Sequence, residues 1–172
     1  MILVLGSGES GVGSALLAKS KGLSVFVSDS SLIEKNYKEL LLKNDIQFEE
    51  NGHEQANKLN VDYVIKSPGI PETAAIIKQL TNKQIQIISE IEFASKFTDA
   101  TIIGVTGSNG KTTTTTMIYE ILKSENADVD IAGNIGISFA SKVAASNTKN
   151  YVLELSSFQL DGIIDFNPHI AI

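Results

Sequence analysis

Short runs of β-branched and large apolar residues alternate along this chain with longer stretches whose apolar positions recur at helical spacing. That alternation is the pattern of parallel sheets with crossover helices, an α/β fold. The runs predict strands at 2–5, 24–28, 47–49, 63–66 and 86–88, separated by helices near 11–20, 33–43, 54–59 and 72–81. A further short helix over 90–96 leads to Thr98-Asp99, where the pattern restarts. From there strands are expected at 101–106, 129–132 and 151–155, with helices at 111–124 and about 137–145. A domain boundary is placed near Phe97 to Ala100, dividing the chain into units 1–97 and 98–172. The last residues, Pro168-His169-Ile170-Ala171-Ile172, read as the opening of another strand. Buried parallel strands usually run about 5 or 6 residues, so the sequence is expected to be a piece of something longer.

Composition narrows the function classes. With 172 residues, 42% hydrophobic and 20% charged, the chain is ordinary globular material, long enough for one large domain or two small ones. The formal net charge of -6 and the lack of any Lys/Arg run argue against nucleic-acid or membrane-surface binding, so phosphate must be held by local geometry. There is no cysteine, hence no disulfide framework, thiol nucleophile or cysteine-based zinc site. Neither a signal-peptide pattern nor a membrane-spanning run is present, and a cytoplasmic protein is expected.

Two glycine-rich turns carry the candidate chemistry. Gly107-Ser108-Asn109-Gly110-Lys111-Thr112-Thr113 follows the apolar run Ile102 to Val105 and precedes a helix bearing Met117, Ile118, Ile121 and Leu122. In that setting backbone N–H groups converge on ATP phosphates at a helix N-terminus, Lys111 reaches the terminal phosphates, and the Thr112 hydroxyl can ligate magnesium. The strict G-x-x-x-x-G-K-[ST] pattern fails at Val105, which makes this a shortened relative; the bland alternative is a glycine-rich turn with a surface lysine. Glu154 closes the apolar run Tyr151-Val152-Leu153 and is the candidate acid for the metal, with simple solvent exposure as the competing reading. The second turn, Gly6-Ser7-Gly8-Glu9-Ser10-Gly11, is a complete G-x-G-x-x-G, with Asp29 eighteen residues after Gly11. At face value it indicates a dinucleotide, although the same geometry serves any nucleotide diphosphate, or none. Lys66-Ser67-Pro68-Gly69-Ile70-Pro71 follows another strand and should border the same crevice. His53 and His169 show no metal or triad spacing and read as surface or packing residues.

Taken in order, Gly6 to Gly11, Ser67-Pro68-Gly69-Ile70, Gly107 to Thr113, Ala132-Gly133-Asn134-Ile135-Gly136 and Leu153-Glu154-Leu155-Ser156-Ser157-Phe158-Gln159-Leu160 resemble the Mur ligases, and most of all their D-glutamate-adding members. The resemblance covers the whole chain. It implies a Rossmann-like parallel-sheet domain over 1–97 for the uridine nucleotide, followed by the first part of a P-loop ATPase-type domain over 98–172. The implied substrates are UDP-N-acetylmuramoyl-L-alanine and D-glutamate, with ATP and Mg2+ as cofactors and no obligate protein partner. Gly8, Ser10, Asp29, Ser30 and Gly69 would contact the uridine nucleotide, and Asn134, Ser156 and Gln159 the muramoyl-alanine end. Gly107 to Thr113 would hold ATP, with Lys111 and Glu154 catalytic and Thr112 and Glu154 on the metal. The implied reaction runs through an acyl phosphate. Family parts not assignable here are a histidine after an Asn-rich strand, a carbamylated lysine, an adenine-binding asparagine and a third domain, so the chain alone is expected to lack ligase activity. Two other readings stay open: a nicotinamide-dependent oxidoreductase built on Gly6 to Gly11, and a non-catalytic nucleotide-binding module.

Overall fold

The computed structural model describes every residue from Met1 to Ile172. Five short strands, β1 (Ile2–Leu5), β2 (Val25–Ser28), β3 (Gln47–Glu49), β4 (Tyr63–Lys66) and β5 (Gln86–Ser89), form one sheet in the order β3-β2-β1-β4-β5. Every neighbouring pair in it is parallel. All four residues of β1 and of β2 are buried, as expected for central strands covered on both faces, which is why these runs are apolar without alternation. The crossovers are α1 (Glu9–Ser20), α2 (Lys35–Lys43) and α3 (Ala75–Asn82), and α4 (Glu90–Ser95) leaves the sheet after β5.

The second unit is built from β6 (Thr101–Val105), α5 (Lys111–Ser124), β7 (Val129–Gly133), α6 (Phe139–Ala145), β8 (Asn150–Glu154), α7 (Ser157–Leu160) and β9 (Ile170–Ala171). Its sheet order is β7-β8-β6-β9, again parallel throughout. The final expected strand therefore exists, pairing Ile170 with Ile103.

Three elements differ from the sequence pattern, each for a local reason. The helix expected over 54–59 is a single 3-10 turn, Ala56–Lys58, because Glu49 accepts the N–H groups of Gln55 and Ala56 and pins the segment to β3. Helix α3 starts at Ala75 instead of Glu72, since Glu72 pairs with Lys66 at 2.8 Å and Ala74 N donates to Pro71 O. Helix α7 is not foreshadowed by the apolar pattern. Its capping box, in which Ser156 accepts from Gln159 N while the Gln159 side chain accepts from Ser156 N, stabilises a turn too short for a hydrophobic period to register.

One apolar cluster of 26 buried residues runs through both units, from Ile2 and Val4 through Val12, Leu17 and Phe93 to Phe139, Tyr151 and Phe166. Its midline is the contact of α1 with α6. Gly13 makes that contact possible, because a Cβ there would fall 2.2 Å from Ser138 Oγ and 2.4 Å from Ser141 Oγ. Carboxylates from the first unit hold the N-terminus of α6: Glu9 accepts Ser138 N (3.0 Å) and Ser141 Oγ (3.1 Å), and buried Glu90 accepts Ala140 N. Burial pushes the Glu90 carboxyl up to about 7, against the pull of the Ala140 N–H and with a further push from Glu9. Glu92 gathers the loop after α7, accepting Ile164 N, Asp165 N and Phe166 N at 2.9 to 3.0 Å while Lys96 lies 3.1 Å from its other oxygen. Burial opposes ionisation of Glu92, but these backbone donors and Lys96 outweigh it and hold the carboxyl below its usual range.

Candidate nucleotide-binding site

Strand β6 ends at Val105, which is buried, and the chain turns through Thr106 and Gly107. The departure from the strict motif has this cause: the strand still occupies the position where the pattern places its first glycine. Gly110 caps α5 with φ of +79°, a conformation that a side chain would strain. None of the backbone N–H groups from Gly107 to Thr113 donates to an acceptor within the chain, and the dipole of a fourteen-residue helix lies behind them. Lys111 Nζ bridges back to Gly107 O at 2.7 Å, arching over the loop. The threonine run is tolerated because buried Thr115 bonds to Lys111 O at 2.8 Å.

Glu154, the last residue of β8, is 2% exposed and meets the loop from the neighbouring strand. Thr112 Oγ1 donates to one of its oxygens at 2.6 Å and Asn134 Nδ2 to the other at 2.8 Å. Asn134 sits just beyond β7, and its N–H bonds to Glu154 O at 2.9 Å, so backbone and side chain together fix the acid. A carboxylate and a hydroxyl are hard oxygen donors, and no cluster of three acidic or histidine groups accompanies them. That partial set fits magnesium, which takes one or two protein oxygens and completes its shell with phosphate and water.

The loop 66–71 is a shared wall. On one side Gly69 and Ile70 line a cleft of about 360 Å³ with Gly6, Asp29, Ser30 and His53. On the other, Gly69 lines a cleft of about 780 Å³ with Asn134, Ser156 and Phe158. Gln159, buried against Ser156, lines a third, smaller recess beside Glu90. Of the expected site residues, Asp29, Ser30 and Gly69 line the first cleft and Gly69, Asn134 and Ser156 the second, while Gly8 and Ser10 line neither. Gly8 and Ser10 open α1, and Asp29 and Ser30 follow β2.

Asp29 is already committed within its own chain. Its Oδ2 accepts Ser7 N at 2.7 Å and Ser7 Oγ at 2.6 Å, and its Oδ1 accepts Ser31 N at 2.9 Å. It clamps the glycine turn. Gln159 is likewise occupied by its capping box, and Asn134 by Glu154. Sequence pattern alone gives no role to His53, which bonds to Ser28 inside the first cleft, or to Glu90; the Gly52-His53 pair just after β3 is the available signal.

Comparison with known proteins supplies the family. Residues 1–76 match the family model of the MurD N-terminal domain, and residues 105–172 that of the Mur ligase middle domain. The chain belongs to the Mur ligase family. Among its relatives, UDP-N-acetylmuramoylalanine--D-glutamate ligase of Porphyromonas gingivalis is 54% identical over 171 residues, covering 99% of this chain and 38% of that protein. The similarly named protein of Bacteroides thetaiotaomicron is 53% identical with the same coverage. The chain therefore spans about two fifths of the length of the curated relatives it matches. Among solved structures, a murein peptide ligase from Psychrobacter arcticus aligns with TM-score 0.60 and 24% identity over 90% of this chain and 37% of that one. A UDP-N-acetylmuramate-alanine ligase from Thermotoga maritima gives 0.56 and 23%, over 89% and 36%. Both show the shared parallel-sheet α/β fold. No helix of this Mur ligase chain is long and apolar enough to cross a membrane.

Proposed function

We propose that this chain forms the nucleotide-substrate and ATP-phosphate sites of a ligase that adds D-glutamate to UDP-N-acetylmuramoyl-L-alanine. Residues 1–97 take the uridine diphosphate end, and residues 98–172 begin the ATP-binding domain. One observation carries the reading: two clefts share the wall at Gly69 to Pro71, one lined by Asp29 and Ser30 and the other by Asn134 and Ser156, whose neighbour Glu154 is tied to the phosphate turn. An elongated substrate can lie with its nucleotide in the first unit and its carboxylate beside the phosphates held by the second. The names of the relatives above supply the substrate class.

In this reading Gly107 to Thr113 bind the phosphates through their N–H groups, and Lys111 turns from Gly107 O to neutralise the charge that develops on the transferred group. A substrate carboxylate oxygen bonds to the γ-phosphorus as the bond to ADP breaks. The D-glutamate amine then attacks the acyl carbon, phosphate leaves with its electron pair, and the nitrogen gives up a proton. Thr112 and Glu154 would hold magnesium, which supplies charge neutralisation at the phosphates. Asn134 keeps the Glu154 carboxylate oriented towards Thr112. Nothing here asks for a nucleophilic side chain, in keeping with Ser156 being engaged in a helix cap. The oxidoreductase reading finds no support among the relatives.

Thermal-shift titration of the chain tests the proposal. UDP-N-acetylmuramoyl-L-alanine at about 100 times its Kd should stabilise by about 2.7 kcal/mol, with NAD giving no shift. Stabilisation by NAD and none by the UDP-sugar would sink it.

A further inference from the structure

The phosphate turn contains a dipeptide with chemistry of its own. Where glycine follows asparagine, the glycine nitrogen can attack the asparagine side-chain carbon, because no Cβ crowds its approach. A cyclic imide forms as ammonia leaves, and water then opens it to aspartate or isoaspartate. The chain holds two such pairs, Asn51-Gly52 after β3 and Asn109-Gly110 before α5, and both asparagines are exposed.

The glycine N–H separates them. Gly52 N donates to Asp29 O at 3.1 Å, and the peptide before it is held too, Asn51 N donating to Ser31 O at 3.2 Å. Attack there must first break a hydrogen bond. Gly110 N makes none within the chain, and neither does Asn109 N. The attacking nitrogen must also shed its proton. Gly110 caps the positive end of the fourteen-residue α5, with Lys111 Nζ folded back onto Gly107 O at 2.7 Å. Positive potential that suits a phosphate also stabilises an anionic nitrogen and the oxyanion that its attack creates.

We propose that Asn109 is a site of spontaneous deamidation and that the reaction disarms the phosphate turn. The bond from Gly110 N to Asn109 Cγ forms, the Cγ–Nδ2 bond breaks, and ammonia leaves with the electron pair and the proton that Gly110 N gave up. Water then adds to either imide carbonyl, so one water is consumed and one ammonia released. Both products set a carboxylate among N–H groups open to an anion, and isoaspartate also adds a methylene to the main chain. A phosphate oxygen seated on the Gly110 N–H blocks the attack, so the empty turn ages and the loaded one is protected. The disarming and the protection rest on the ATP reading given under Proposed function.

Peptide mapping by mass spectrometry of the 172-residue chain, held in mildly alkaline buffer with and without ATP and Mg2+, tests it. The expected result is conversion of Asn109 about tenfold faster than Asn51, the rate equivalent of one backbone hydrogen bond broken before attack. ATP with Mg2+, at a concentration that raises the melting temperature, should slow Asn109 and leave Asn51 unchanged. The ATP-induced shift should fade in step with conversion. Asn109→Gln, whose longer side chain closes its ring far more slowly, should show no such decline over the same period. Conversion of Asn51 as fast as Asn109, or of neither, would overturn the proposal, as would an undiminished ATP response in fully converted chain. No ATP-induced shift in fresh chain would overturn the ATP reading and the disarming with it, whereas the unequal conversion of the two asparagines is read independently of ATP.

Discussion

The two glycine-rich turns look alike as sequence, each joining an apolar strand to a helix and each leaving amides free, yet they are braced differently. The turn at Gly6 is tied into its own chain: Asp29 takes the N–H and hydroxyl of Ser7, and Glu9 reaches across to Ser138 and Ser141. Its helix α1 is buried along most of its length between the two units. At the turn at Gly107 the internal carboxylate, Glu154, takes only the Thr112 hydroxyl and no N–H. Its N–H groups from Gly107 to Thr113 are uncommitted, and of its helix α5 only Thr115 is buried. Both turns leave amides free, Gly8 to Gly11 in the first and Gly107 to Thr113 in the second, so the contrast lies in how tightly carboxylates brace the surrounding side chains. The side chains arriving from elsewhere in the fold set that bracing.

That contrast can be broken from either side. The largest effect is expected at the open turn. Lys111→Ala in the ligase-length protein should reduce D-glutamate-dependent phosphate release by about a thousandfold. Its melting temperature should hardly move, because the ammonium group bonds to Gly107 O and to no other atom of the chain. A marked fall in thermal stability would show that the open turn is structural after all.

On the closed side, Glu90 gives a pH signature. Its carboxyl, raised by burial to about 7, keeps its proton in the folded state after the unfolded chain has released it. Stability should therefore decline as pH rises from about 4.3, the unfolded value, to about 7, by up to about 4 kcal/mol. Glu49 and Glu92, whose carboxyls are lowered, act in the opposite sense and only as pH falls below the ordinary carboxylate value. Urea melts of Glu90→Gln should be flat across the upper window; a slope as steep as that of the parent would remove Glu90 as its source. A smaller loss, about 2 kcal/mol, is expected in equilibrium unfolding of Gly13→Ala, whose methyl group would collide with Ser138 and Ser141. Unchanged stability would mean that α1 and α6 can part without cost.

Much of this is legible in the chain. The apolar runs at Ile2 to Leu5 and Ile102 to Val105, each followed by glycine, announce the strands and both turns, and Glu154 is readable as the acid facing Thr112. What escapes depends on residues far apart in sequence. Gly13 has no local conformational role, and its need for hydrogen at Cα comes from α6, some 125 residues on. Glu90 and Glu92 read as an ordinary charged first turn of a short helix, while their partners lie at Ala140 and Ile164 to Phe166. The spacing of His53 fits no metal or triad, and its bond to Ser28 joins residues 25 apart. Asp29 stands out in the sequence for its position, and the structure adds that Ser7 and Ser31 bond to it from its own chain. A fingerprint spacing fixes where a carboxylate sits, but not which groups of its own chain bond to it.

The apolar cluster shared by the two sheets also governs how the molecule comes apart. Phe93 and Ala94 of the first unit and Phe139, Tyr151 and Phe166 of the second belong to the same interior, so neither half has a complete core to fall back on. Loss of one sheet would strip the other of its cover and leave Glu92 in water, with its collar of three amide donors gone. Although two units are plain in the topology, they share a single thermodynamic fate, and denaturation should take both in one cooperative step.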